Sequence, residues 1–233
     1  MLFIVAEIGV NWDGDLDLAE KMTHMAKQIG FDAVKFQAFN AEIVANHKQN
    51  QRLMKNSITH NNVELIDNLC KKVGIEWFCT PMYPEAVTFL DPFVKRYKIR
   101  EIDGRVLLDN KSSPTIEKVL NTGKEVIVSS QKSPIKSKYY KHEKIKWLYC
   151  VPKYPSKIQD HDFRDLKSFN GFSNHCTNFV IPLTAFILGS EIIEIHITLD
   201  KNRDFIDNDV SYDFSEASKL IDLIKQLKKI IEF

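Results

Sequence analysis

The chain has 233 residues, enough for one large core or two small ones. Its 44% hydrophobic and 27% charged residues are those of an ordinary globular protein. With 32 basic and 31 acidic side chains the net charge is +1, so no global field draws nucleic acid or anionic lipid, and any phosphate site has to be local.

In chain order, short apolar runs alternate with helical patterns. The first run, residues 2–9 (LFIVAEIG), meets Glu7 too early to be a signal peptide or a membrane span. A helical stretch over 16–30 follows, then a second run at 33–39 (AVKFQAF), a helical stretch over 63–74 and a third run at 75–81 (IEWFCTP). Further runs fall at 97–102 (YKIREI), 125–130 (EVIVSS), 145–151 (IKWLYCV), 171–175 (GFSNH) and 191–198 (EIIEIHIT). Most are too continuous to have one wet face, as strands buried on both sides should be. The helical pattern returns at 115–123, at the apolar 179–190 and at 215–231, where Ser215 is the expected N-cap. Gly30, Gly74 and Gly123 stand where C-caps belong.

Strand and helix repeated about eight times imply parallel strands with crossover helices, and eight units in this length predict a (β/α)₈ barrel. Proline and dense lysine between 131 and 143 predict that the fifth helix is short or degenerate. There is no linker-like tract, so residues 1–233 read as one domain. Cys70, Cys79, Cys150 and Cys176 contain no C-x-x-C pair, which argues against a disulfide framework. A cytoplasmic location, off the membrane, is expected.

Barrels place their chemistry at the C-terminal strand ends. Polar residues recur there: Glu7 on the first strand, Lys35 and Gln37 on the second, Thr80 on the third and Lys98 on the fourth. They continue with Ser129 on the fifth, Tyr154 after the sixth, Ser173 and His175 on the seventh, and Glu194 and His196 on the eighth. One buried polar residue is usually a satisfied core group; the same habit on eight strands is not. The pairs 35/37, 173/175 and 194/196 are two apart and so share a face.

His175 and His196 are the natural metal ligands, since neutral imidazole binds Mn, Fe, Co or Zn, and oxygens of Glu7 and Gln37 can complete an open site. The other five histidines are expected in solvent. Lys35 has two readings, a Schiff-base nucleophile or an anion-binding point charge. An ion pair with Glu7 would keep it protonated and favour the second.

The residues also carry a resemblance. AEIGVNWDGDLDLAEKM (6–22) followed by AVKFQAF resembles the opening of the N-acetylneuraminate (sialic acid) synthase family. The likeness continues through FCTPMYPEAVTFL, YKI, VIVSS, YCVPKYP, GFSNH and IIEIHITLDK, nearly the whole chain in order. It implies a TIM barrel that condenses phosphoenolpyruvate with an N-acylamino sugar aldehyde. It further implies a divalent metal on His175 and His196 with Gln37 and Glu7 at the same site, Mn²⁺ foremost and Co²⁺ or Mg²⁺ as alternatives. By the same resemblance Lys35 contacts substrate, Thr80, Lys98, Ser129, Tyr154 and Ser173 hold phosphoenolpyruvate, and Glu194 and Asp207 orient the sugar. A homodimer is implied too. Many members append a C-terminal lid domain, whereas this sequence runs to Phe233 just past the last helix, which leaves three expectations: a lid from a separate protein, a longer chain, or a substrate held differently.

The sequence departs from the family pattern at several points. Glu101 stands where a phosphate-binding serine is usual, with Arg100 and Arg105 near enough to compensate. Ser130-Gln131 replace a threonine-glycine pair, Asn174 an aspartate, and Trp12 a histidine. These departures motivate two other readings: a metal-dependent aldolase or isomerase that does not use phosphoenolpyruvate, and a binding subunit that needs a separate lid.

Overall fold

In the computed structural model, which describes residues 2–231, eight parallel strands follow one another around a closed ring. They are β1 (Phe3–Gly9), β2 (Ala33–Ala38), β3 (Glu76–Pro81), β4 (Arg96–Ile99), β5 (Glu125–Ser130), β6 (Ile145–Cys150), β7 (Gly171–Asn174) and β8 (Ile192–His196). β8 pairs back onto β1, with Phe3 opposite Ile192 and Glu7 opposite His196. The single-domain (β/α)₈ barrel is thus the architecture, and the unbroken apolar runs are explained: one face fills the barrel, the other meets the helices. Ile4 to Gly9 are all buried.

The helices are α1 (Leu16–Ile29), α2 (Ala41–Val44), α3 (Asn50–Lys55), α4 (Val63–Val73), α5 (Pro84–Leu90), α6 (Glu101–Leu108), α7 (Pro114–Asn121), α8 (Val180–Ile187) and α9 (Phe214–Ile231). Asp15 caps α1 by accepting from the Asp17 and Leu18 amides, and Gly30 ends it in the left-handed region at φ 106°. Gly74 closes α4 in the same way.

As expected of a degenerate fifth helix, no α-helix forms between β5 and β6, where turns take its place. Four details correct the sequence reading. The β6–β7 crossover carries only 3₁₀ turns at Ile158–Asp160 and Leu166–Ser168. β4 ends at Ile99 rather than 102, because Glu101 opens α6. α9 is capped by Asp213, not Ser215: Asp213 accepts from the Glu216 amide while the Glu216 carboxylate accepts from the Asp213 amide, a capping box that leaves Ser215 inside the helix. The short α2 and α3, within the long β2–α4 connection, had no counterpart in the apolar periodicity.

Among the described residues no helix is long and apolar enough to cross a membrane. The expected end of the chain just past α9 falls on 232–233, outside the described residues.

Candidate active site at the barrel mouth

A cavity of about 410 Å³ opens at the C-terminal end of the strands. All twelve side chains expected at the site line it: Glu7, Lys35, Gln37, Thr80, Lys98, Ser129, Tyr154, Ser173, His175, Glu194, His196 and Asp207. The register explains the convergence. Glu7 lies opposite Lys35 on one side and His196 on the other, Gln37 opposite Thr80, and Ser173 opposite Glu194. Side chains paired across parallel strands share a face, so one inward set supplies the floor.

Gly9 keeps that floor open. It ends β1 at φ +55° beside a shift in register, and a Cβ there would sit 3.1 Å from Glu7 Oε1, 3.2 Å from Gln37 Nε2 and 3.4 Å from Asp207 Oδ2.

A buried ionic chain crosses the floor. Lys35 Nζ lies 2.9 Å from Glu7 Oε2 and 3.8 Å from Glu194 Oε2, and donates to Thr80 Oγ1 at 3.3 Å. Lys98 Nζ donates to Glu194 Oε1 at 2.7 Å, and Ser173 Oγ donates to the same oxygen at 2.8 Å. Gln37 Nε2 donates to Glu7 Oε1 at 2.7 Å. Glu194, expected to orient the sugar, is therefore the carboxylate that ties the two lysines together. Burial alone would depress Lys35, but the charges of Glu194 and Glu7 outweigh it and hold the ammonium above the usual lysine range. That favours an anion-binding Lys35 over a Schiff-base nucleophile. Burial would raise Glu194, yet Lys35 and Lys98 bring it down to about 2.

The two imidazoles face each other, ring centroids 5.3 Å apart. His175 Nδ1 lies 2.8 Å from the Val151 carbonyl, which makes that nitrogen the donor and turns the Nε2 lone pair into the cavity. There it accepts from Tyr154 Oη at 2.7 Å. Burial lowers His175 to about 4, so it is neutral at pH 7. His196 Nδ1 is buried without a hydrogen-bond partner, 3.4 Å from Asp207 Oδ2. Although 59% of Tyr154 is open to solvent, its hydroxyl end is enclosed, and that enclosure with the charge of Asp207 keeps the phenol protonated.

Among the described residues no three His, Cys, Asp or Glu side chains converge as a ready-made metal cage. The pair of imidazoles nonetheless offers one lone pair fixed by its second hydrogen bond and one partnerless buried nitrogen. These suit an open site whose other positions belong to water or substrate.

Glu101, the chief departure, is 8% exposed at the start of α6 and lines the cavity. Arg105 grips both its oxygens, at 2.7 and 3.0 Å, which offsets the carboxylate. Arg100 also lines the cavity, held 2.6 Å from Asp103. Gln131 lies outside it. The sequence reading missed the apolar bank contributed by α2, α3 and their flanks, and Cys150, whose Sγ is 3.8 Å from His175 Nδ1. Cys150 ends β6, the signal that could have found it.

Residues 22–232 match the NeuB family over most of the chain. The chain belongs to the NeuB family. It is 28% identical to the N,N'-diacetyllegionaminic acid synthase of Legionella pneumophila over 98% of this chain and 73% of that one. It is 27% identical to human N-acetylneuraminate-9-phosphate synthase over 98% and 71%. Among solved structures, the N-acetylneuraminic acid (sialic acid) synthetase of Leptospira borgpetersenii superposes with a TM-score of 0.85 at 27% identity, covering all of this chain and 85% of that one. This NeuB-family barrel is thus similar in sequence to synthases of N,N'-diacetyllegionaminic acid and of N-acetylneuraminate 9-phosphate.

Proposed function

We propose that this NeuB-family barrel joins phosphoenolpyruvate to an N-acylamino sugar aldehyde and releases inorganic phosphate. The observation that carries the reading is the pair of buried ammoniums, Lys35 and Lys98, sharing Glu194 in the cavity that the partnerless Ser129 Oγ also lines. Each ammonium has three N–H donors, and Ser129 has a hydroxyl with none of its hydrogen-bonding capacity used. Together they form a local cradle for the carboxylate and phosphate of phosphoenolpyruvate, in a protein whose net charge supplies no general attraction.

In the reaction the enol carbon attacks the aldehyde carbon, water adds to the neighbouring carbon, and the phosphate C–O bond breaks. The chain's own residues do the following. Lys35, Lys98, Thr80, Ser129 and Ser173 hold the anions; Tyr154, which bonds His175, faces the same space; Glu7 and Glu194 keep the lysines charged and fixed. Asp207, beside His196, orients the sugar hydroxyls. Aligning two reactants in an enclosed space removes much of the barrier. A divalent metal, Mn²⁺ foremost and Co²⁺ or Mg²⁺ as alternatives, would be held by His175, His196 and Gln37 and would supply Lewis acidity toward the aldehyde oxygen.

The test is phosphate release from phosphoenolpyruvate by the purified chain with a panel of acetamido sugars and each metal. Release that needs both sugar and metal supports the reading. Silence across the panel, or a borohydride-trapped imine on Lys35, would replace it with the aldolase reading, and dependence on an added lid protein would point to the subunit reading. A cytoplasmic enzyme and a homodimer accord with this proposal.

A further inference from the structure

The lone pair that His175 turns into the cavity is already taken. Its Nδ1 is spent on the Val151 carbonyl at 2.8 Å, and its Nε2 accepts from Tyr154 Oη at 2.7 Å. A metal on this imidazole sits about 2.1 Å along the same lone pair, in the space the hydroxyl now fills. With Nδ1 committed, the ring has no second nitrogen to offer. Hydroxyl and metal therefore exclude each other. The phenol ring also packs against both imidazoles, its centroid 4.0 Å from that of His175 and 5.8 Å from that of His196.

Tyr154 is mounted for an exchange. The backbone on either side of it is tied down: the Ser156 amide donates to the His175 carbonyl at 2.9 Å, and the Lys153 side chain pairs with Asp160. The tyrosine itself is 59% exposed, so its side chain can rotate without opening the loop. His175 is the hydroxyl's one hydrogen-bond partner among the described residues. Once displaced, the hydroxyl is an unused donor in the cavity that Lys98 and Ser129 also line. An anion there gains a hydrogen bond that the metal-free protein withholds.

Resting on the condensation reading above, we propose that Tyr154 hands its hydroxyl from His175 to phosphoenolpyruvate when the metal arrives. Metal and anion then bind cooperatively through one hydroxyl, and the coupling is the same in either direction. The test needs no turnover. Mn²⁺ affinity is read from the EPR signal of the free ion, with and without phosphoenolpyruvate, in the unmutated protein and in Tyr154→Phe. The variant keeps the exposed ring and loses only the hydroxyl. Without phosphoenolpyruvate it should bind Mn²⁺ about three- to tenfold more tightly, the worth of one hydrogen bond that no longer has to be broken. The tightening that phosphoenolpyruvate brings to Mn²⁺ should be smaller in the variant by a similar factor. A merely structural Tyr154 would leave Mn²⁺ binding unchanged or weaken it on substitution. Equal or weaker Mn²⁺ binding by Tyr154→Phe overturns the exchange and leaves the condensation reading standing. So does undiminished coupling in the variant. Phosphoenolpyruvate bound by neither protein, with or without Mn²⁺, sinks both together.

Discussion

The barrel carries an ionic cluster at each end, and the two are built differently. At the N-terminal end Arg96 spans neighbouring strands, 2.7 Å from Glu76 and 2.5 Å from Glu125, with these side chains 20–31% exposed. At the mouth Glu7, Lys35, Lys98 and Glu194 are 1–4% exposed, and Glu194 Oε2, 3.8 Å from Lys35 Nζ, still lacks a hydrogen-bond partner. Withdrawing ions from water costs several kcal/mol each, and partner charges return that only in part. The lower cluster keeps its water and ties strand starts together. The upper one gives up solvation and leaves lone pairs unfilled, which suits a surface shaped for a ligand.

The largest expected effect tests that contrast directly. Lys98→Met should lower phosphate release about 10³-fold, as loss of a charge that meets developing negative charge does. It should also destabilise the fold by about 3 kcal/mol, since Glu194 is left with less compensation. Adding Glu194→Leu should recover much of the stability in urea unfolding and none of the activity. If the double variant is as unstable as the single one, the mouth cluster is structural and the contrast between the two ends fails.

Acid should separate the ends next. His175 is lowered from 6.5 to about 4 and Glu194 from 4.5 to about 2, so in both windows the unfolded chain binds more protons than the folded one. Stability is complete above pH 6.5, falls toward pH 4 through His175, and falls again between about 4.5 and 2 through Glu194. In chelator-treated protein the upper window should remove roughly 3 kcal/mol, by the free energy of such a shift. His175→Gln should flatten it. A stability profile level from pH 7 to 4.5 in the unmutated protein would contradict the buried neutral imidazole.

These charges were legible in the sequence because strand geometry is simple. A period of two, eight runs in parallel and one barrel rule place Lys35 with Gln37 and Glu194 with His196 in one cavity, with no further information needed. What was not legible depends on contacts distant in sequence or on competition between local signals. The run YKIREI reads as strand through 102, but the chain turns after Ile99, and Glu101 then finds Arg105 one helical turn away. Asp213 outcompeted Ser215 as a cap because Glu216 could answer it. The apolar bank of Val44 and Leu53 comes from helices of four and six residues, too short for any periodicity to show.

Glu101 offers a finer test within the mouth itself. Its carboxylate borders the cavity and repels an incoming phosphate, while Arg105 grips it from outside. Glu101→Ser removes the repulsion and frees the guanidinium, so the KM for phosphoenolpyruvate should fall about three- to fivefold, as expected for loss of one screened like-charge contact. A rise in KM would mean that Glu101 positions Arg105 for the ligand, and would move that ion pair from the neutral frame of the site to its working part.

The smallest effect belongs to the other end. Arg96→Met should cost about 1 kcal/mol, typical of a partly exposed pair, and leave phosphate release unchanged. The guanidinium also sits 4.4 Å above the Phe3 ring, so part of the loss is stacking rather than charge. Arg96→Lys separates the two, because it keeps the charge but neither the fork that reaches Glu76 and Glu125 together nor the flat face over Phe3. Salt titration of urea unfolding then decides. A deficit in the lysine variant that persists at high salt comes from the lost stacking, and one that vanishes comes from the ion pairs. Either result leaves the bottom of the barrel a matter of stability, whereas a change in turnover from Arg96→Met would show that the two ends are coupled through the strands.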